Sequence, residues 1–269
     1  MNTFEESTLE KFKNILRVKN YSPRTIEMYS FYVLKYYNSY KKETYQLTIQ
    51  DLTDYLFSFK YTSISQQNQL INALKAFYKY ILNKSEIHLN KIERPRKEKH
   101  LPQIIEKDYL ITKINAIKNI KHKAILSLAF SVGLRVSEVI NLKIEDIDSK
   151  RMIINIRQAK GRKDRIVPLS ENMLTLLREY FIIYKPKEYL FNGQFELKYS
   201  SKSCNNIVKQ HIGESYHFHL LRHSCFTSLL ESGTDLRIIQ KIAGHASSKT
   251  TEIYTHVSNQ MLSKVSLPL

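Results

Sequence analysis

Residues 89–102 read LNKIERPRKEKHLP, and no other stretch limits so strongly what this chain can fold into. Pro95 and Pro102 push the residues before them out of the helical region, and the density of charge disfavours burial. The stretch predicts an extended basic linker, with one folded body over residues 1–88 and a second over 103–269. A 269-residue chain with 42% hydrophobic and 25% charged residues can give each body a core, which excludes wholesale disorder. The 42 Lys+Arg outnumber the 25 Asp+Glu, for a formal charge of +17. The surplus is not a tail: residues 1–88, 89–102 and 103–269 carry +4, +3 and +10. Two basic bodies on a basic linker suit closure around a polyanion such as duplex nucleic acid.

Other classes are disfavoured. The two cysteines, Cys204 and Cys225, lack metal-type spacing, so a disulfide framework or zinc ribbon is not expected and a reducing compartment fits. No apolar run approaches the ~20 residues that span a bilayer. The opening MNTFEESTLEKF is too acidic and polar for a signal peptide. A cytoplasmic protein without membrane contact is expected.

The first body reads as helices. Ser22 before Pro23 is a helix start, followed by no breaker to about Tyr40. Thr48 with Asp51 three residues on marks another start. A helix over about 65–84 places Leu70, Leu74, Phe77, Tyr78 and Ile81 on one stripe and Gln69, Asn72, Lys75 and Lys79 on another face. That polar face is either solvated or turned to phosphates and base edges. The second body is mixed: helices at about 105–118 and 122–142, a β-hairpin of 152–157 and 164–169 turning around Gly161, then helices near 170–184, 201–211, 217–232, 235–243 and from 247. Gly233 and Gly244 mark helix ends. The fold class is mostly α with a small β-sheet.

Four stretches of the second body concentrate cationic and hydrogen-bonding side chains: GLRVSEVINL (133–142), QAKGRKDRIVPL (158–169), HLLRHS (219–224) and AGHASSKTTEIYTH (243–256). In HLLRHS the i,i+3 spacing sets His219 and Arg222 on one helical face, where both can grip one anion. Taken together the stretches resemble the tyrosine recombinase family, the phage integrases and Xer-type recombinases. The likeness lies in an arginine box, a hairpin lysine, an H-x-x-R box, a glycine-histidine pair and a tyrosine nine residues beyond that histidine. HLLRHSCFTSLLESGTDLRIIQKIAGHASSKTTEIYTH follows the Xer pattern closely, although Val132 stands where Thr is usual and Ile242-Ala243 where two leucines are common. NYSPRTIEMY is similar, more loosely, to the opening of the family's N-terminal helical core-binding domain, and no further arm-binding domain is expected.

The resemblance implies a two-domain tyrosine recombinase. Its core-binding domain would span 1–88, its linker 89–102 and its α+β catalytic domain 103–269, with a tail from about 257. It implies catalytic roles for Arg135, Lys160, His219, Arg222, His245 and the nucleophile Tyr254, with Glu138 orienting the first arginine. Lys75, Lys79, Arg94, Arg96, Arg162 and Lys163 are the expected DNA contacts. The implied partner is double-stranded DNA with an inverted-repeat core site, bound by a homo-tetramer or by a hetero-tetramer with a second recombinase. Localisation would be cytoplasmic, at the nucleoid. The tail residues Val257, Met261, Leu262 and Val265 lie at helical spacing and would pack either in cis or on a neighbouring protomer.

Elementary chemistry agrees with these roles. Two arginines offer planar bidentate donors to non-bridging phosphate oxygens, where charge grows in the transition state. A cationic pocket is expected to favour the tyrosine phenolate as attack proceeds, and a lysine on a hairpin tip can protonate the leaving 5′ oxygen. Exchange of one phosphodiester for another needs no ATP, and no Walker-type loop is seen. Neither a cofactor nor a metal is expected: His217, His219 and His223 have weak ligand spacing, and Arg222 beside them opposes a cation. His223 and His256 are read as structural or as supports behind the catalytic side chains, and Cys225 as a small packed hydrophobe. Of the 18 tyrosines, 11 lie in residues 1–88 and are read chiefly as core or interface aromatics. A type IB topoisomerase and a non-catalytic DNA-binding protein of the same fold are the competing readings.

Overall fold

The computed structural model describes residues 3–40, 44–84, 92, 94–96, 103–157, 164–194, 196–245 and 247–255. The chain divides into two compact units, Met1–Lys99 and His100–Leu269.

The first unit is built from α1 (Thr3–Val18), α2 (Pro23–Tyr40), α3 (Ile49–Ser58) and α4 (Ile64–Tyr80). Each start is fixed by a side chain. Ser22 Oγ accepts the Thr25 amide at the head of α2, and Ser63 Oγ accepts the Gln66 amide at the head of α4. At α3, Thr48 and Asp51 form a reciprocal capping box. The expected stripe on α4 is the buried one: Leu70, Leu74, Phe77 and Tyr78 are all within 1% of full burial. They pack with Phe12, Leu16 and Tyr36 of α1 and α2. Tyr78 donates to the Thr48 carbonyl at 2.6 Å, so the hydrogen shared between the Tyr36 and Tyr78 hydroxyls comes from Tyr36. This buried chain ties α2, α4 and the α3 cap.

Part of the expected linker is held by this unit. Ile92 packs against its core, and Arg94 donates to Asn68 Oδ1 at 3.0 Å and Asn72 Oδ1 at 2.8 Å on the polar face of α4.

The second unit has α5 (Lys107–Asn115), α6 (Ile120–Val132) and α7 (Val136–Asn141), followed by an antiparallel sheet of β1 (Ile147–Asp148), β2 (Ile153–Ile156) and β3 (Arg165–Pro168) in the order β1-β2-β3. Then come α8 (Glu171–Tyr184), α9 (Ser201–His211), α10 (Phe218–Glu231), α11 (Leu236–Ala243) and α12 (Lys249–Glu252). Helix α6 is central: Ala124, Ile125, Leu126, Leu128 and Ala129 are fully buried, and it packs on α8 and α10. Among the described residues, no helix is long and apolar enough to cross a membrane.

Two expectations need correction. The helix predicted over 122–142 is two helices, broken at Gly133, which caps α6 at φ +63°. A β-carbon there would lie 2.5 Å from Phe226 Cζ, so only glycine fits this left-handed turn against the ring. The hairpin is also part of a three-stranded sheet, because Ile147 and Asp148 pair with Ile154 and Ile153. The expected turn around Gly161 lies outside the described residues, as does the tail from 257.

Candidate active site

The break at Gly133 creates the first half of the site. It ends α6 and lets Arg135 open α7 in extended conformation. Glu138, three residues on, accepts the Arg135 backbone amide and its Nη1, each at 2.8 Å. A second arginine grips the same carboxylate: Arg165 of β3 donates Nη1 to Oε1 at 2.8 Å and Nη2 to Oε2 at 2.9 Å. Arg165 Nε also donates to the Ile242 carbonyl at 2.6 Å, joining the sheet to the end of α11. Gly244 makes room for this side chain, since a β-carbon there would meet Arg165 Cδ at 2.9 Å. Burial works against charge on Glu138, but hydrogen bonds and charge from Arg165, then Arg135, hold its carboxyl down at about 2. It is ionised at any working pH.

Helix α10 supplies the second half. Its first amide, from Phe218, donates to Asn205 Oδ1 at 3.0 Å, which docks the helix start on α9. Arg222, only 1% exposed, donates Nη1 to the Gly133 carbonyl and Nη2 to the Ala243 carbonyl, each at 2.6 Å. Its guanidinium carbon lies 4.7 Å from the Phe226 ring centroid. Nη2 also meets His245 Nε2 at 3.0 Å. A guanidinium can only donate, so His245 accepts at Nε2 and carries its proton on Nδ1, which lies 2.9 Å from Thr251 Oγ1. Burial, with Arg222, Arg135 and Arg165 nearby, lowers His245 to about 4, so the ring is neutral. Burial also lowers Arg222, to about 10, with Arg135 adding to the effect.

Tyr254 stands in this cluster. It follows α12, is 1% exposed, and packs edge-on to Phe226 at 5.5 Å between centroids. Its hydroxyl lies 3.2 Å from His223 Nδ1, and the Arg222 charge acts on it. The resting site does not yet favour the phenolate that is expected as attack proceeds. Burial raises the phenol to about 12, outweighing the opposite pull of Arg222 and Arg135. The resting nucleophile candidate is a protonated phenol.

His219 lies at the solvent-exposed edge, its ring 4.6 Å from that of His223. The protein packed beneath it desolvates the ring and, with His223 and Arg222, lowers it to about 4. The structure therefore brings the other four expected catalytic residues it describes, Arg135, His219, His245 and Tyr254, under the influence of Arg222. The sixth, Lys160, lies outside the described residues with Arg162 and Lys163. Lys75, Lys79, Arg94 and Arg96 belong to the first unit.

One residue escaped the sequence reading, and another was read only as a structural or supporting side chain. That second residue, His223, meets the Tyr254 hydroxyl. Arg165 carried a usable signal: in β3 it shares parity with buried Val167, while Ile166 faces out, so it is a charged side chain at a core position. Three guanidinium groups thus surround one carboxylate, leaving a cationic surplus suited to a phosphodiester and to the second charge of its transition state.

A phenol set beside clustered, preorganised guanidiniums defines a protein that transfers phosphodiesters through tyrosine. The chain belongs to the phage integrase family: residues 98–261 match that family, and residues 8–87 match the phage integrase N-terminal SAM-like domain. It is 35% identical to Tyrosine recombinase XerA of Pyrococcus horikoshii, over 94% of this chain and 90% of the relative. With Tyrosine recombinase XerC of Staphylococcus aureus (strain JH9) it shares 33% identity, over 96% and 94%. The crystal structure of a lambda integrase tetramer bound to a Holliday junction has a similar fold, with TM-score 0.73 at 17% identity over 93% of this chain and 76% of the other. The protein is a site-specific recombinase of the tyrosine type, a family whose members cut and rejoin DNA through a phosphotyrosine intermediate.

Proposed function

We propose that Tyr254 is the nucleophile and that Arg135, Arg222, His219 and His245 form its phosphate-binding pocket. The supporting observation is a buried Tyr254 under the charge of the buried Arg222, whose donors are fixed on the Gly133 and Ala243 carbonyls. A guanidinium held in this way need not reorganise as charge builds on the phosphorus, and each such donor typically supplies several kcal/mol, of the order of ~3. Attack forms a 3′-phosphotyrosyl bond and expels the 5′ oxygen, which Lys160 would protonate to a hydroxyl. Attack by a partner strand's 5′ hydroxyl then reverses the bond exchange. Glu138 orients Arg135 through its two hydrogen bonds.

In this reading the two basic bodies, 1–88 and 103–269, and the basic stretch 89–102 all contact duplex DNA. Lys75, Lys79, Arg94, Arg96, Arg162 and Lys163 would contact phosphates. The recombining unit is a tetramer of this chain, alone or with a second recombinase, on two inverted-repeat core sites. Its role is Xer-like, resolving chromosome dimers or integrating a mobile element at the nucleoid. Overlap of the family likeness with XerA and XerC along nearly the whole chain supports that role. The test is a suicide substrate, nicked so that the cut strand cannot rejoin, scored for covalent adduct on a denaturing gel. Wild type should accumulate adduct and Tyr254→Phe none. Equal yields from both proteins would refute the assignment.

A further inference from the structure

A phenol held at about 12 must lose its proton while it attacks phosphorus, so a base must receive it. Three neutral or readily neutral imidazoles surround Tyr254, and their hydrogen bonds tell them apart. His245 already accepts from Arg222 at Nε2 and commits its Nδ1 proton to Thr251. His219 lies at the exposed edge, one ring away, stacked edge-to-face on His223 at 4.6 Å. Among the described residues, His223 alone brings a ring nitrogen to the phenol oxygen, with Nδ1 at 3.2 Å.

The Arg222 charge acts on the same oxygen and pulls the phenol toward ionisation. For His223 to serve as the base, the phenol donates to Nδ1, and the ring carries its proton on Nε2. The groups acting on this ring are Arg222, His217 and His219 from the same helix and Tyr254 from the segment after α12. Burial, then Arg222 and His217, lower the ring below its ordinary value, which favours the neutral imidazole.

We infer that His223 is a further catalytic residue, the general base that takes the Tyr254 proton; this rests on Tyr254 being the nucleophile. As the Tyr254 oxygen bonds to phosphorus, its O–H bond breaks and an Nδ1–H bond forms on His223. The bond from phosphorus to the 5′ oxygen breaks, and that oxygen takes a proton from the acid at the hairpin. On rejoining, the imidazolium returns its proton to the departing phenol. The same helix turn therefore supplies an electrophilic clamp at 222 and a base at 223.

The experiment is single-turnover cleavage of the suicide substrate at saturating full-length protein, from pH 5.5 to 9, with wild type, His223→Ala and His223→Asn. Asn can place Oδ1 where Nδ1 stands, keeping the hydrogen bond without basicity. The wild-type rate should be nearly flat above about pH 6.5. Both variants should be at least ~100-fold slower at pH 7. Their rates should rise about tenfold per pH unit, so that the gap closes toward pH 9 as hydroxide takes over the base's work. A role confined to holding the phenol would give a gap independent of pH and rescue by Asn. Either of those results, or variant rates within threefold of wild type, overturns the inference. Should His223→Ala fail to fold, His223→Asn decides alone. Failure of the nucleophile assignment looks different, since wild type itself would then form no Tyr254-dependent adduct.

Discussion

Replacing Arg165 by Ala should expose how the site is held together. Arg165 makes two of the hydrogen bonds to Glu138, whose side chain is 3% exposed, and bonds the Ile242 carbonyl as well. Removing it leaves a buried carboxylate with Arg135 and a 4.0 Å approach from Arg222. Two routes give the cost. Breaking a buried ion pair by deleting one partner destabilises by about 3–5 kcal/mol. Independently, a carboxyl held near 2 against an ordinary 4.5 corresponds to roughly 3 kcal/mol in linkage terms. A loss of ~3 kcal/mol should lower the melting midpoint of the catalytic unit by roughly 6–12 °C. The sign of the pH dependence follows from the depressed carboxyl. Its contribution is complete above about 4.5 and is lost as pH falls toward about 2, so the gap between wild type and Arg165→Ala should shrink over that window. Thermal melts of the full-length proteins at pH 7, 4.5 and 3 provide the assay. A difference under ~0.5 kcal/mol at pH 7, or a gap constant with pH, would refute the reasoning.

Gly133→Ala should be more severe for chemistry than for folding class. It combines a left-handed φ with a β-carbon 2.5 Å from Phe226, the ring that packs on both Arg222 and Tyr254. Expected are a loss of at least ~2 kcal/mol in melts and a collapse of adduct yield; unchanged yield would contradict the packing argument. Arg94→Ala removes a cation seated on the polar face of α4 by Asn68 and Asn72. If that face meets DNA, log affinity against log salt should lose about 0.9 from its slope, as measured by filter binding; an unaltered slope would place Arg94 away from phosphates.

Much of the fold was legible locally. Ser22 and Thr48 mark helix starts through their own side chains, and the α4 stripe follows from spacing alone, although its cap at Ser63 was not read from the sequence. The four cationic stretches converge because family resemblance located them, and five of their six catalytic candidates meet in space. What stayed hidden depends on residues remote in sequence. Periodicity runs unbroken across Gly133 because nothing nearby announces that Phe226 fills the space beside it. The state of Tyr254 is a contest between burial and two guanidiniums, and its outcome rests on how completely the ring is enclosed. His223 looked ordinary because its partner lies 31 residues away. Arg165 was within reach of strand parity, had its neighbour Val167 been taken as core.

The most direct measurement is the identity of the residue that carries DNA. Trapped adduct from the suicide substrate, digested with protease and nuclease and read by mass spectrometry, should yield one peptide bearing nucleotide through a 3′ phosphate on Tyr254. Nucleotide on any other tyrosine, or on no peptide at all, would contradict the assignment of the reaction to the pocket formed by Arg135, Arg222 and Tyr254.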